Sequence, residues 1–274
     1  GGLVPLFLVL GGAGILWAAR GLSWSTGFVA GSALLGGVIG LLDDLRSQKG
    51  RRSTGLFPYQ TLVLQFGASL LLLLAAQFPQ PFRLPFASAR VSLPFWVWAP
   101  LFVVAYMGTV NGVNLADGLD GLATGLFLLA VLGFLPLLLQ DAGLGALGFL
   151  ALGAGLGFLW VNAHPARVFL GNVGSMGLGG LLFGLGWSSG GLLLLPLVGG
   201  VFVLEVLSVI LQVASYKLKG VRFLKMSPFH HHLEDVPVSW PHRLRSPNWP
   251  EPQVVTRLWI AGAVCALLGV LATL

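Results

Sequence analysis

The sequence predicts an all-α, polytopic integral membrane protein, and three observations carry that prediction. Of its 274 residues, 56% are hydrophobic and only 9% charged, with a mean hydropathy of +0.89; soluble domains carry about 25% charged residues. The apolar residues gather into runs fit to cross a hydrocarbon layer, which takes about 20 helical residues. The basic residues fall on one side once those runs alternate across a membrane. Length gives no ground for dividing a polytopic chain, so residues 1–274 read as one transmembrane domain.

Nine helices are expected, at 3–19, 23–42, 59–78, 95–113, 120–139, 143–162, 174–188, 191–213 and 254–273. Leucine, valine and phenylalanine fill them. Forty glycines, some clustered as in Gly143-Leu-Gly-Ala-Leu-Gly148 and Gly177-Leu-Gly-Gly180, predict helix backbones that approach closely. The first run opens with no Lys, Arg or initiator Met ahead of it, so it reads as a span of a processed or truncated chain, not as a signal peptide. Cys265, the single cysteine, lies in an apolar run and leaves neither an intrachain disulfide nor a thiolate metal site.

Starting from an inside N-terminus, the inside loops hold Arg46, Lys49, Arg51, Arg52, Arg167, Lys217, Lys219, Arg222, Lys225, Arg243, Arg245 and Arg257. The outside loops hold Arg20, Arg83 and Arg90. The net charge of +6 is therefore topological. Its expected partners are anionic lipid or a phosphate substrate, not nucleic acid. The acids sort the same way: Asp43, Asp44, Asp117, Asp120, Glu234, Asp235 and Glu251 fall inside with all five histidines, Asp141 falls outside, and Glu205 sits within a helix. Acids and imidazoles gathered on one side point to chemistry on that side.

Between the helices, the outside segment 79–94 alternates polar and apolar residues around Pro81, Arg83, Pro85, Arg90 and Pro94, which suggests a short β-hairpin. The proline-rich inside segment 214–253 is the one sizeable loop and is long enough to cover a site.

Four polar constellations stand out. Asn114, Asp117 and Asp120 are spaced i, i+3, i+6, which in a helix puts them on one face; the alternative is a solvated loop. Asp43-Asp44 is expected to end the second helix, where carboxylates are disfavoured. They call for Mg²⁺ or for the cations downstream, unless they are a solvated cap. In the stretch from Asn162 to Ser175, Gly171, Gly174 and Ser175 precede a helix whose N–H groups can receive an anion, or they form a tight interhelical turn. His230-His231-His232 with Glu234 suits a short irregular segment converging on phosphate or on a metal. Glu205 either braces the bundle or serves a ligand groove.

Taken together, Gly-Leu-Leu-Asp43-Asp44, the stretch Asn111 to Ala123, the stretch Phe169 to Gly180 and the run Met226 to Glu234 (MSPFHHHLE) resemble the phospho-N-acetylmuramoyl-pentapeptide transferases, also called translocase I. These belong to the polyprenyl-phosphate N-acetylhexosamine-1-phosphate transferase family. The resemblance spans essentially the whole chain, and the triple histidine is its most specific part. It implies a multi-pass enzyme of the bacterial inner membrane, with its site facing the cytoplasm. The implied reaction moves phospho-MurNAc-pentapeptide from UDP-MurNAc-pentapeptide to undecaprenyl phosphate with Mg²⁺, giving lipid I and UMP. It also implies a homodimer.

By the same resemblance Asp43 and Asp44 are the catalytic acid pair, Asn172 and Asp44 stand at the metal, and His230 is the first essential histidine. Asn114, Asp117, Gly118, Leu119, Asp120, Asn162 and Phe169, with His231, His232, Lys49 and Arg51, gather around the substrate; Phe169 is the uracil-side aromatic. The sequence departs from the family pattern in four places. Asn172 replaces the usual aspartate, Ser47 and Thr61 replace lysines, and the family's first helix has no counterpart before Gly1, so ten helices become nine. Two rival readings follow: a homologue that binds but does not catalyse, or transfers another N-acetylhexosamine phosphate, and a transporter. Against the transporter, no midplane series of acids is visible.

Overall fold

The computed structural model describes residues 1–20, 23–49, 55–77, 81–87 and 89–273. Each of the nine predicted runs is met by a helix. These are α1 (Leu3–Arg20), α2 (Trp24–Lys49), α3 (Pro58–Ala75), α4 (Phe95–Ala116), α5 (Leu122–Leu138), α6 (Ala142–Asn162), α7 (Gly171–Ser188), α9 (Gly200–Lys219) and α11 (Glu251–Leu271). Two short helices join them, α8 (Leu195–Val198) and α10 (Phe229–Leu233). Strands β1 (Phe82–Arg83) and β2 (Arg90–Val91) pair antiparallel and form the expected hairpin. Among the described residues, six helices are long and apolar enough to cross a membrane by length and composition: α2, α3, α4, α6, α9 and α11. Two further apolar helices are shorter. The chain is a multi-pass, all-α membrane protein.

Helix α7 is the axis of the bundle, buried continuously from Val173 to Trp187. It can be enclosed because glycine removes the side chains that would hold neighbouring backbones apart. A Cβ at Gly180 would stand 2.2 Å from the Ser32 carbonyl oxygen of α2. From the facing side, Cβ atoms at Gly36 and Gly40 would stand 2.3 and 2.1 Å from the carbonyl oxygens of Met176 and Asn172. Ser32 Oγ adds a hydrogen bond across this seam, donating to Gly180 O at 2.8 Å. Helix α4 closes on the other side, with Val110 Cα 2.6 Å from the Cβ position of Gly179. The Gly177–Gly180 cluster therefore does what its sequence predicts.

Several boundaries differ from expectation: α7 already begins at Gly171, so Gly174 and Ser175 lie inside it and do not precede it, and three others change the course of the chain. Helix α2 runs on through Lys49, so Asp43 and Asp44 lie within it and not at its end; Leu45, Arg46, Gln48 and Lys49 are good helix formers that carry it past its apolar part. Helix α4 stops at Ala116, with Asp117 as its C-cap, and Gly121 at φ +74° introduces α5. Asn114, Asp117 and Asp120 therefore share a helix end and a turn, not one helical face. The expected 191–213 helix is broken: Leu192–Leu194 form a 3₁₀ turn, α8 follows, and Gly199 interrupts before α9. Pro196 lacks an N–H and the glycines carry no penalty off helical geometry, so the chain bends here.

Candidate active site at the helix ends

The α2–α7 seam sets the acids. One turn beyond Gly40, Asp44 faces the first turn of α7, accepting from Asn172 N at 3.3 Å and from Val173 N at 3.1 Å. These N–H groups have no partner inside their own helix, so Asp44 caps α7 from a neighbouring helix. Asp43 accepts from Leu56 N at 2.7 Å and from the Asn172 side-chain nitrogen at 2.5 Å. Asn172 Oδ1 in turn accepts from Asn114 Nδ2 at 2.8 Å, and the same nitrogen lies 2.9 Å from Ser175 Oγ. Residues 43, 44, 114 and 172, far apart in sequence, thus form one hydrogen-bonded network.

The turn after α4 continues it. Asp117 has its carboxyl pushed up to about 7, chiefly by burial and further by the Asp44 charge, while a backbone hydrogen bond from Gly171 pulls the other way. Asp120 is tied in twice: its carboxylate accepts from Ala166 N at 2.9 Å and lies 3.2 Å from His164 Nδ1. Its own N–H donates to Glu251 at 2.8 Å, at the start of α11. Asp120, His164 and Glu251 offer ligand atoms within 4.8 Å of one another, a grouping that can hold a metal ion. The sequence assigns neither His164 nor Glu251 to a site. Only folding brings them beside Asp120.

A cavity of about 320 Å³ opens between these elements, lined by Asp44, Asp117, Gly118, Leu119 and Asp120 on one side and by Asn162, Phe169, Gly171 and Asn172 on the other. Phe169 is 68% exposed, an aromatic face offered at the rim. Asn162 is buried and committed, donating to Val168 O at 3.0 Å and accepting from Thr124 at 2.9 Å. It shapes the loop that carries Phe169.

The histidines fold into α10, a single helical turn and not the irregular segment expected. His230 is fully buried behind the 117–120 turn: a Cβ on Gly118 would be 2.3 Å from its Nε2. Its Nδ1 lies 3.3 Å from Glu205 of α9. His231 pairs with Glu234. His232 is buried and accepts from Lys225 N at 3.0 Å; burial, with His242 and Lys225 nearby, holds it below the usual histidine range. None of the three lines the cavity. Lys49 closes α2, but its side chain lies outside what is described, as does Arg51.

An apolar groove of about 310 Å³ runs between α4 and α9, lined by Leu101, Val104, Gly108 and Thr109 and by Phe202, Val203 and Leu207. Thr109 is five residues before Asn114, or about 7–8 Å along the helix.

The donor set of the cavity fits a hard divalent cation. Asp44 and Asp117 bring two carboxylates close enough for one to raise the other, and Asn172 adds a neutral amide oxygen. Its amide nitrogen, turned to Asp43, supplies part of the compensation a cation would otherwise provide.

Residues 26–189 match the model of glycosyl transferase family 4. A phospho-N-acetylmuramoyl-pentapeptide-transferase of Heliobacterium modesticaldum is 41% identical over 249 residues, covering 87% of this chain and 73% of the relative. Proteins of the same name from Desulfitobacterium hafniense and Clostridioides difficile are 38% and 36% identical, covering 88% and 86% of this chain and 74% and 72% of theirs.

Proposed function

The chain belongs to the phospho-N-acetylmuramoyl-pentapeptide transferases within glycosyl transferase family 4, and from that premise we propose the reaction and its residues. It transfers phospho-MurNAc-pentapeptide from UDP-MurNAc-pentapeptide to undecaprenyl phosphate, forming lipid I and releasing UMP. The observation that carries this reading is the pairing of an acid-lined cavity at the end of α4 with an apolar groove on the same helix. A polar headgroup and a polyprenyl chain need those two environments side by side.

In this reading the acceptor's phosphate oxygen attacks the sugar-linked phosphorus, and the bond between the two phosphates breaks to free UMP. Asp43 and Asp44 orient the reacting phosphates with Asn114, and Asp117 borders them. Gly118, Leu119, Asp120 and Asn162 shape the nucleotide pocket, and Phe169 offers its ring to uracil. His230 acts from behind the turn, while His231 and His232 hold the covering loop in place; Lys49 and Arg51 are proposed to attract the anionic substrates. Mg²⁺, held by Asp44 and Asn172, would supply charge neutralisation on the transferring phosphoryl group. The site faces the cytoplasm of a bacterial inner membrane, as the one-sided basic residues favour.

Purified full-length protein should release UMP from UDP-MurNAc-pentapeptide only with undecaprenyl phosphate and Mg²⁺ together. No release under those conditions would overturn the reading. The Asn172–Asp43 hydrogen bond favours a second one, a homologue that binds the nucleotide sugar without turnover. That reading requires binding, no UMP release, and no gain from Asn172→Asp.

A further inference from the structure

We propose that Glu205 is a positioning residue for this reaction: from within α9 it fixes His230 behind the Asp117–Asp120 turn and so sets that turn at the cavity. The proposal rests on the function proposed above.

Helix α9 turns Val203 and Leu207 to the apolar groove, yet Glu205 between them is fully buried on the opposite, inward side. A carboxylate in such a helix is costly and persists only where it meets a partner or a function. Here Oε2 lies 3.4 Å from the His230 backbone N–H, which donates to it, and 3.3 Å from the ring Nδ1. That oxygen accepts a hydrogen bond from the start of α10 and faces the imidazole at ion-pair distance, without a hydrogen bond to Nδ1. A carboxylate facing one ring nitrogen sets which way the other nitrogen points.

Both ring nitrogens of His230 are fully buried without a hydrogen-bond partner, and so is Glu205 Oε1. A pair kept only for packing would be expected to satisfy its polar atoms. Instead Nε2 is aimed at Gly118, where only a glycine leaves room for it. The far side of Gly118 is exposed and lines the cavity. Glu205, His230 and Gly118 thus connect the wall of the lipid groove to the floor of the headgroup pocket, with no side chain between them.

The test uses the full chain in detergent with Glu205→Gln, Glu205→Asp, Gly118→Ala and the double variant Gly118→Ala/Glu205→Gln. Glu205→Gln should lower kcat about 10–100-fold, the range for losing a residue that orients a functional side chain, with the KM for undecaprenyl phosphate unchanged. Glu205→Asp, which keeps the charge, should recover part of the loss. Because Gly118→Ala would displace the same ring, the double variant should lose no more than the worse single variant. Losses that multiply, or an unchanged kcat in Glu205→Gln, would overturn the proposal while leaving the transferase reading intact.

A second readout does not depend on activity. Hydrogen–deuterium exchange at the His230 ring carbon, followed by mass spectrometry, should be slow in the wild type and faster in Glu205→Gln. If the wild type proves inactive but this acceleration is seen, the reaction is wrong and the Glu205–His230 link stands. An unchanged exchange rate overturns the link itself.

Discussion

Asn172 donates a side-chain hydrogen bond to Asp43 at 2.5 Å, a contact that two ionised carboxylates could not make. An aspartate at 172, the residue the family pattern has there, would instead set two negative charges against each other and call for a cation between them. Asn172→Asp is therefore expected to lower the melting temperature of the metal-free protein. It should also enlarge the stabilisation given by added Mg²⁺, because binding to the folded state alone raises stability by mass action. Equal Mg²⁺ shifts in the two proteins, measured by thermal melting, would remove residue 172 from the metal.

Asp44 has a double duty. Asp44→Ala should cost about 1 kcal/mol through the lost cap on α7, seen as a lower denaturation midpoint. Asp44→Asn keeps much of the cap, since an amide oxygen still accepts from Val173 N, but removes the charge beside the reacting phosphates. Turnover should be abolished in Asp44→Asn while the fold survives, and an unchanged UMP release rate would exclude Asp44 from the site.

Asp117 gives the metal-free protein a pH signature. Folding pushes its carboxyl up from the ordinary 3.8 to about 7, burial being the main cause. Between those values the folded state holds the extra proton, so this group's contribution to stability falls as pH rises through the window and is constant outside it. Denaturation midpoints from pH 4 to 7 should show this decline, and Asp117→Asn should flatten it. A wild-type profile as flat as the variant's would contradict the burial argument.

Phe169 is largely exposed, so Phe169→Ala should leave thermal stability unchanged. Base stacking on an aromatic ring contributes about 1–3 kcal/mol. The KM for UDP-MurNAc-pentapeptide should therefore rise about tenfold or more, with recovery in Phe169→Trp. A KM unaltered by Phe169→Ala would place uracil elsewhere.

Gly108 lines the groove, and a Cβ built there meets nothing within 4 Å. Gly108→Leu would favour the helix by about 0.5–1 kcal/mol while filling part of the groove. The KM for undecaprenyl phosphate should rise and that for the nucleotide sugar should not. A reversed pattern in steady-state kinetics would take the polyprenyl chain out of the groove.

Much of this protein is legible in its sequence because a membrane imposes simple rules. Among the described residues each of the nine apolar runs is met by a helix, one of them broken at its start, and the Gly177–Gly180 cluster forms the close seam it suggests, since both depend on composition along a single segment. The motifs also contain the residues that line the cavity, Asp44, Asp117 and Phe169 among them. What sequence could not supply was partnership. Asp43 and Asp44 were expected at a helix end, yet their hydrogen bonds come from Leu56 and from the start of α7. His164 and Glu251 are separated by more than eighty residues and meet only at Asp120.

The sequence by itself determined that the chain is an all-α membrane protein and which polar residues are too costly to be incidental, because hydrophobic length and unpaired charge are local properties. The tertiary structure alone decided that Glu205 faces His230, that His230 sits behind Gly118 and outside the cavity, and that Asn172 turns its nitrogen to Asp43. Each of these depends on the angle and distance between helices distant in sequence. Close packing at glycine seams fixes that geometry, and no single segment records it.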